Sequence, residues 1–157
     1  MKYVDTAIVF QEIPDEVTMA VNISNCPIHC EGCHSPYLQF DNGTTLDAAA
    51  IDTILTPYKD VITCVCLMGG DAEPREVAEL AAYIRTTYPS LRTAWYSGRQ
   101  QPASELMDKR YYDYVKVGPY IKSLGPLNSP TTNQRLYRIN DDNTRTDVTD
   151  WFWHRRE

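Results

Sequence analysis

Val61-Ile62-Thr63-Cys64-Val65-Cys66-Leu67-Met68-Gly69-Gly70 is the stretch from which the fold can be read. Positions 61–68 form an almost continuous apolar run of strand length, the pattern of a central strand covered on both faces, and the run stops at two glycines. A helix is predicted next. Pro74 suits its first turn, Asp71 and Glu73 favour its positive end, and Val77, Leu80, Ala81, Ile84 and Tyr88 recur at helical spacing. The unit is therefore strand, glycine turn, helix.

Working outward, 91–96 predicts the next strand, 103–109 a short helix, and 112–117 and 136–139 further strands, with a Pro/Gly/Ser-rich connection over 118–130 and a polar turn over 140–145. Upstream, 6–11 and 17–23 predict two strands joined by the turn Ile13-Pro14-Asp15. Val17, Met19, Val21 and Ile23 alternate there with polar or small residues. A short helix is expected over 46–55, with Thr45 as its N-cap and Pro57 at its end. This alternation predicts a single α/β domain over 1–157 with a largely parallel sheet that closes only partway round.

Composition narrows the function classes. The chain has 157 residues, of which 43% are hydrophobic, enough to bury one core. No run of about eighteen or more apolar residues is present, and Lys2 and Asp5 charge the first segment, so a cytoplasmic protein without a membrane span is expected. A formal net charge of -6 opposes a phosphate backbone, which makes nucleic acid an unfavourable partner. Five cysteines, an odd number, favour metal or redox chemistry over a disulfide framework.

The chemistry concentrates in Cys26-Pro27-Ile28-His29-Cys30-Glu31-Gly32-Cys33-His34. Three thiolates this close can hold three corners of an iron-sulfur cubane and leave the fourth iron open to a substrate, whereas a cluster used only for electron transfer normally takes four cysteines. Weaker motifs overlap the loop. Cys30 and Cys33 have the spacing of a redox pair, and Cys30 to His34 formally match haem attachment, but both leave Cys26 unexplained. Zinc is the serious alternative, in a closed site of three cysteines with His29 or His34. Cys64 and Cys66 lie two apart on one face of the central strand and are expected to be small core hydrophobes; ligation by either would close the open iron.

The Cys-x3-Cys-x2-Cys loop after an early strand, followed by a strand ending in Gly69-Gly70, resembles the radical-SAM superfamily. The chain is further similar, over nearly its whole length, to the activating proteins of anaerobic, class III ribonucleotide reductases. The segments that carry this resemblance are Ile23-Ser-Asn-Cys-Pro27, Met68-Gly-Gly-Asp-Ala-Glu-Pro74, Trp95-Tyr-Ser-Gly98, Val117-Gly-Pro-Tyr120 and Thr132-Asn-Gln-Arg135.

The resemblance implies an incomplete β/α barrel of the radical-SAM type, holding a [4Fe-4S] cluster on Cys26, Cys30 and Cys33 and cleaving S-adenosylmethionine (SAM). The 5′-deoxyadenosyl radical released would take a hydrogen from a glycine of the reductase, with the electron coming from a flavodoxin- or ferredoxin-like donor. It implies Gly32 and His34 beside SAM, Gly69 and Gly70 approaching its methionine end, Asp71 or Glu73 receiving its ammonium, and Ser97 facing its ribose. The common Gly-Gly-Glu-Pro pattern is altered here: Asp71 follows the glycines and Pro74 comes two residues late. Two alternatives remain at this stage, an activator of another glycyl-radical enzyme and a non-enzymatic iron-sulfur or zinc binding module. The end of the chain, Trp151 to Arg156, is expected to pack on the domain.

Overall fold

The computed structural model describes residues 1–154, so Arg155 and Arg156 of the aromatic and basic tail lie outside the described residues. Eight strands form one mixed sheet in the order β3-β1-β2-β4-β5-β6-β7-β8. They are β1 (Lys2–Val9), β2 (Thr18–Ile23), β3 (Thr44–Thr45), β4 (Cys64–Met68), β5 (Arg92–Tyr96), β6 (Tyr114–Val117), β7 (Arg135–Ile139) and β8 (Arg145–Asp147). Two helices, α1 (Ala48–Leu55) and α2 (Pro74–Thr87), sit in the crossovers after β3 and β4. Among the described residues no helix is long and apolar enough to cross a membrane.

The parallel part of the sheet is its centre. β2 pairs with β4, β4 with β5 and β5 with β6 in parallel, while the four outer pairings are antiparallel. Parallelism is thus confined to three of the seven pairings. A parallel pair needs a long crossover, whereas β1–β2 and β7–β8 are joined by short connections that reverse direction, and β6–β7 reverses through a connection as long as the β5–β6 crossover.

Alternation along these strands separates two apolar layers. Met19, Val21, Ile23, Val65, Leu67, Trp95, Val115 and Val117 pack with Ile51 and Leu55 of α1 and Val77, Leu80, Ala81 and Ile84 of α2. Trp95 is the largest side chain wholly removed from water, and it stacks on Tyr112 with ring centroids 5.5 Å apart. On the other face Cys64, Cys66, Ala94, Tyr114 and Leu136 meet Ile13 of the first turn and Val148, Trp151 and Phe152 near the end of the chain. Trp153 extends that cover by donating its indole N–H to the Leu127 carbonyl at 2.8 Å, so the described part of the tail packs as expected.

Several local expectations shift. Thr45 is drawn into β3 against Lys2, and Asp47 becomes the N-cap of α1, accepting from the Ala50 amide at 2.9 Å. The helix expected over 103–109 is a single 3-10 turn at Ser104–Leu106. Residues 61–63 precede β4 in a turn, and Val61 is exposed, so the apolar run overstates the strand at its start. The polar turn over 140–145 is real, but it continues into β8.

Beneath the amino-terminal edge of the sheet, Asp113 ties three elements together. Its carboxylate accepts from Arg85 of α2 at 2.7 Å, from the Thr93 amide of β5 at 2.9 Å and from Lys109 at 2.8 Å. Burial pushes this carboxyl up, but the bonds from Lys109 and the Thr93 amide, with the Arg85 charge, outweigh it and hold the group below the usual carboxylate range. A depressed folded-state value means stability that is present above the unfolded value of about 3.9 and is lost as pH falls through the folded one. Asp113→Asn is expected to flatten this acid limb, and Asp113→Ala to cost about 3 kcal/mol by leaving two partly buried cations without their anion; chemical denaturation between neutral pH and pH 3 checks both.

Candidate iron-sulfur site

Parallel strands deliver their carboxyl ends to one edge, where ligands of α/β proteins gather. Here β2, β4, β5 and β6 end at Ile23, Met68, Tyr96 and Val117. The segments that follow them are the cysteine loop, Gly69-Gly70-Asp71, Ser97-Gly98 and Gly118-Pro119-Tyr120. The edge therefore brings together nearly every residue singled out from the sequence.

The cysteine loop is pinned at its ends. Asn25 donates its amide to Phe40 O at 3.0 Å and Cys26 to Leu38 O at 2.9 Å, while the Ser24 hydroxyl donates to Asn42 O at 2.6 Å. Between these anchors the backbone turns left-handed three times, at Asn25 (φ 63°), His29 (φ 53°) and Gly32 (φ 73°), each the residue immediately before a cysteine. Asn and His tolerate this region better than most residues, and glycine enters it freely. Left-handed steps between right-handed ones make amide-lined concavities that suit anions, iron-sulfur groups included.

Cys26, Cys30 and Cys33 are all free thiols and half-buried, whereas His29, Glu31, Gly32 and His34 beside them are exposed. Cys33 Sγ already accepts the Ser35 amide at 3.4 Å. The donor set thus fits a cluster: three reduced sulfurs on one anchored loop, each preceded by a left-handed step. Among the described residues no three Cys, His, Asp or Glu side chains are gathered closely enough to hold a single metal ion.

Cys64 and Cys66 have the opposite surroundings. Both are fully buried in the second apolar layer, and burial pushes both thiols well up, which keeps them protonated. Cys66 spends its remaining polarity on Met68, with the sulfurs 3.4 Å apart. Their expected role as core residues agrees with these surroundings.

The loop is seated against the neighbouring loops by close packing. A Cβ on Gly98 would lie 2.8 Å from Ile28 Cγ1, so glycine lets the cysteine loop approach β5. His34 faces Tyr120 with ring centroids 5.3 Å apart, and a Cβ on Gly32 would sit 3.5 Å from the same tyrosine. The loop after β6 is in turn held to the loop after β5 by Asn133, which donates to Gln100 Oε1 at 3.1 Å and to Pro119 O at 3.0 Å. The Thr132-Asn-Gln-Arg135 segment therefore acts as a strap between two loops at the edge.

Asp71, 2% exposed, is the hub of the β4 and β5 loops. It accepts from the Ser97 hydroxyl at 2.6 Å and from the Gly98 amide at 2.7 Å, and its own carbonyl accepts from Arg99 at 3.1 Å. Ser97 is fully buried and its oxygen also accepts the Arg99 amide at 3.1 Å, so the hydroxyl serves Asp71 instead of standing open to a ligand. Glu73 lies apart: it is exposed and faces the Met1 amino group at 3.4 Å. Gly69 and Gly70 both have positive φ, at 105° and 83°, and a Cβ on Gly70 would collide with Val77 of α2. The pair is required by the strand-to-helix turn itself, and Gly69 O accepts the Trp95 indole at 2.8 Å.

Sequence reading passed over Lys116. In parallel register Asn22, Met68, Tyr96 and Lys116 form the last row of the sheet before the edge, on the face away from the helices. Lys116 is 8% exposed, donates to Gly118 O at 3.0 Å and lies 5.3 Å from the centre of the Tyr96 ring. Burial pushes its ammonium down to about 8, against the opposing influence of Asp71, Cys30, Cys66 and Cys26, and it remains mostly charged at neutral pH. The signal was a lysine inside the apolar run 112–117, where a charge is costly to bury.

Cys26→Ser, Cys30→Ser and Cys33→Ser are each expected to abolish iron retention after anaerobic reconstitution. Cys64→Ala and Cys66→Ala are expected to keep full iron and to lose only about 1 kcal/mol of stability through the small cavity. Iron and sulfide analysis together with thermal melts separates the two groups.

Residues 16–139 match the 4Fe-4S single cluster domain family, a span that contains all three loop cysteines and the sheet from β2 to β7. No curated protein and no solved structure matches the chain. The matched span covers most of the 157 residues, and the chain belongs to the 4Fe-4S single cluster domain family.

Proposed function

We propose that the chain is a radical-SAM activating enzyme that installs a glycyl radical on an anaerobic ribonucleotide reductase. The observation that carries this reading is the division of the five cysteines: three half-buried thiols on one anchored loop, and two fully buried in the apolar layer. A cluster held on Cys26, Cys30 and Cys33 keeps one iron without a protein thiolate, which is what a substrate-binding cluster requires and an electron carrier does not.

When bound, the reduced cluster supplies the electron that cleaves the SAM sulfonium. The chain's own residues do the rest. The left-handed steps at Asn25, His29 and Gly32 hold the loop open toward the edge, and the positive-φ pair Gly69-Gly70 lets backbone approach a ligand closely. Each Asp71 oxygen accepts one hydrogen bond and retains a second lone pair, so the carboxylate can still receive an ammonium group while Ser97 and Gly98 hold it in place. On this reading Ser97 positions Asp71, and exposed Glu73 is the weaker candidate for the ammonium. Gly32 and His34, beside Tyr120, form the outer rim.

The same reading makes the open eight-stranded sheet an incomplete β/α barrel whose missing wall is supplied by the partner. A macromolecular substrate excludes water by covering the edge itself, as radical chemistry needs. A flavodoxin- or ferredoxin-like protein is the electron donor, and the cytoplasm, where thiols stay reduced, is the compartment.

Electron paramagnetic resonance of the reconstituted, reduced protein with and without SAM tests the proposal, alongside an assay for 5′-deoxyadenosine. A cubane signal altered by SAM, with SAM cleavage, is the expected result. A cluster indifferent to SAM would reduce the protein to an iron-sulfur binding module, and SAM cleavage without radical formation on the reductase would redirect the search to another glycyl-radical enzyme.

A further inference from the structure

We infer that Lys116 is the counter-cation of the cluster site, setting the reduction potential of a cluster held on Cys26, Cys30 and Cys33. The inference rests on cluster binding by the loop, and not on any reaction with SAM.

Three observations carry it. Lys116 occupies the last sheet row before the edge, and its nitrogen reaches up to Gly118, the first residue of the loop that leads to Tyr120 and His34. Its ammonium carries three donors, and the Gly118 carbonyl takes one hydrogen bond, which leaves donor capacity at this edge. Its row neighbours Met68 and Tyr96 lead directly into Gly69-Gly70-Asp71 and Ser97-Gly98, and Gly98 packs on Ile28, between Cys26 and Cys30. Cys66 also lies near but stays a neutral thiol, because burial opposes its ionisation.

Among the described residues Lys116 makes no ion pair: its partners are the Gly118 carbonyl and the Tyr96 ring. A buried charge without an ion pair carries a desolvation cost that an apolar residue in its place would not. A cluster ligated by three thiolates adds negative charge to the edge and adds more when it accepts an electron. A fixed cation nearby favours the reduced form, and net local charge is one of the levers by which a protein sets cluster potential. Tyr96 supports this placement, offering its ring face to the ammonium while its hydroxyl donates to the Glu12 carbonyl.

The test compares wild type, Lys116→Met and Lys116→Arg by redox titration of the reconstituted cluster without SAM, with thermal melts of the cluster-free proteins. For Lys116→Met we expect a shift to more negative potential of at least tenfold in the reduction equilibrium, about 59 mV for one electron. Lys116→Arg should shift clearly less, and the cluster-free methionine variant should melt no lower than wild type. A methionine variant that folds but fails to retain iron, while the arginine variant retains it, supports the same role at the stage of assembly. An unchanged potential in Lys116→Met, equal shifts in both variants, or iron loss from both overturns the inference. Lys116→Gln stands in under the same criteria should the methionine protein not fold. Because SAM is absent throughout, failure here leaves the proposed activity untouched, and failure of that activity leaves this result standing.

Discussion

The parallel pairing of β2, β4, β5 and β6 is the constraint on which the rest of this molecule depends. Parallel strands cannot be joined by tight turns, so α1 and α2 are committed to the crossovers and to one face of the sheet. The same geometry sends four strand ends to one edge, and the loops there inherit a common location before any of their side chains interact. Asp71 then links the second and third of these loops, and Asn133 the third and fourth. The cysteine loop joins them by packing Ile28 onto Gly98 and His34 against Tyr120.

Cysteine is used in this protein in two ways that composition alone would not distinguish. On β4, alternation turns Cys64 and Cys66 toward Ile13, Ala94 and Leu136, where desolvation suppresses the thiolate. On the loop, left-handed residues and exposed neighbours leave Cys26, Cys30 and Cys33 half-buried, with one sulfur already receiving an amide. Access to the sulfur follows from backbone conformation and burial, with the amino acid held constant.

Polar groups in the interior follow a related division. Asp113 is satisfied by two cations and an amide and joins α2, β5 and the segment before β6. Asp71 accepts from a hydroxyl and an amide, and among the described residues no cation is bonded to its carboxylate. Lys116 is buried at the opposite end of the sheet from Asp113 with a carbonyl as its bonded acceptor. The first arrangement ties elements of the fold together, whereas the other two lie beside the open edge.

Much of this was legible locally. The apolar run ending in Gly69-Gly70, the helix from Pro74 and the alternation from Val17 to Ile23 each report a period or a steric rule that acts over a few residues, and each element lies near its expected place. The three-thiol spacing likewise named a cluster from the sequence alone, because one short loop must supply all its ligands. Sequence did not reveal that only the centre of the sheet is parallel, that Asp47 and not Thr45 caps α1, or that Ser97 is committed to Asp71. Nor did it single out Lys116, roughly 80 to 90 residues along the chain from the three loop cysteines, as a buried cation at the same edge. Strand register and the choice of hydrogen-bond partner are decided by contacts between distant segments, so spacing determined which residues can bind a cluster, and tertiary packing decided which charges surround it.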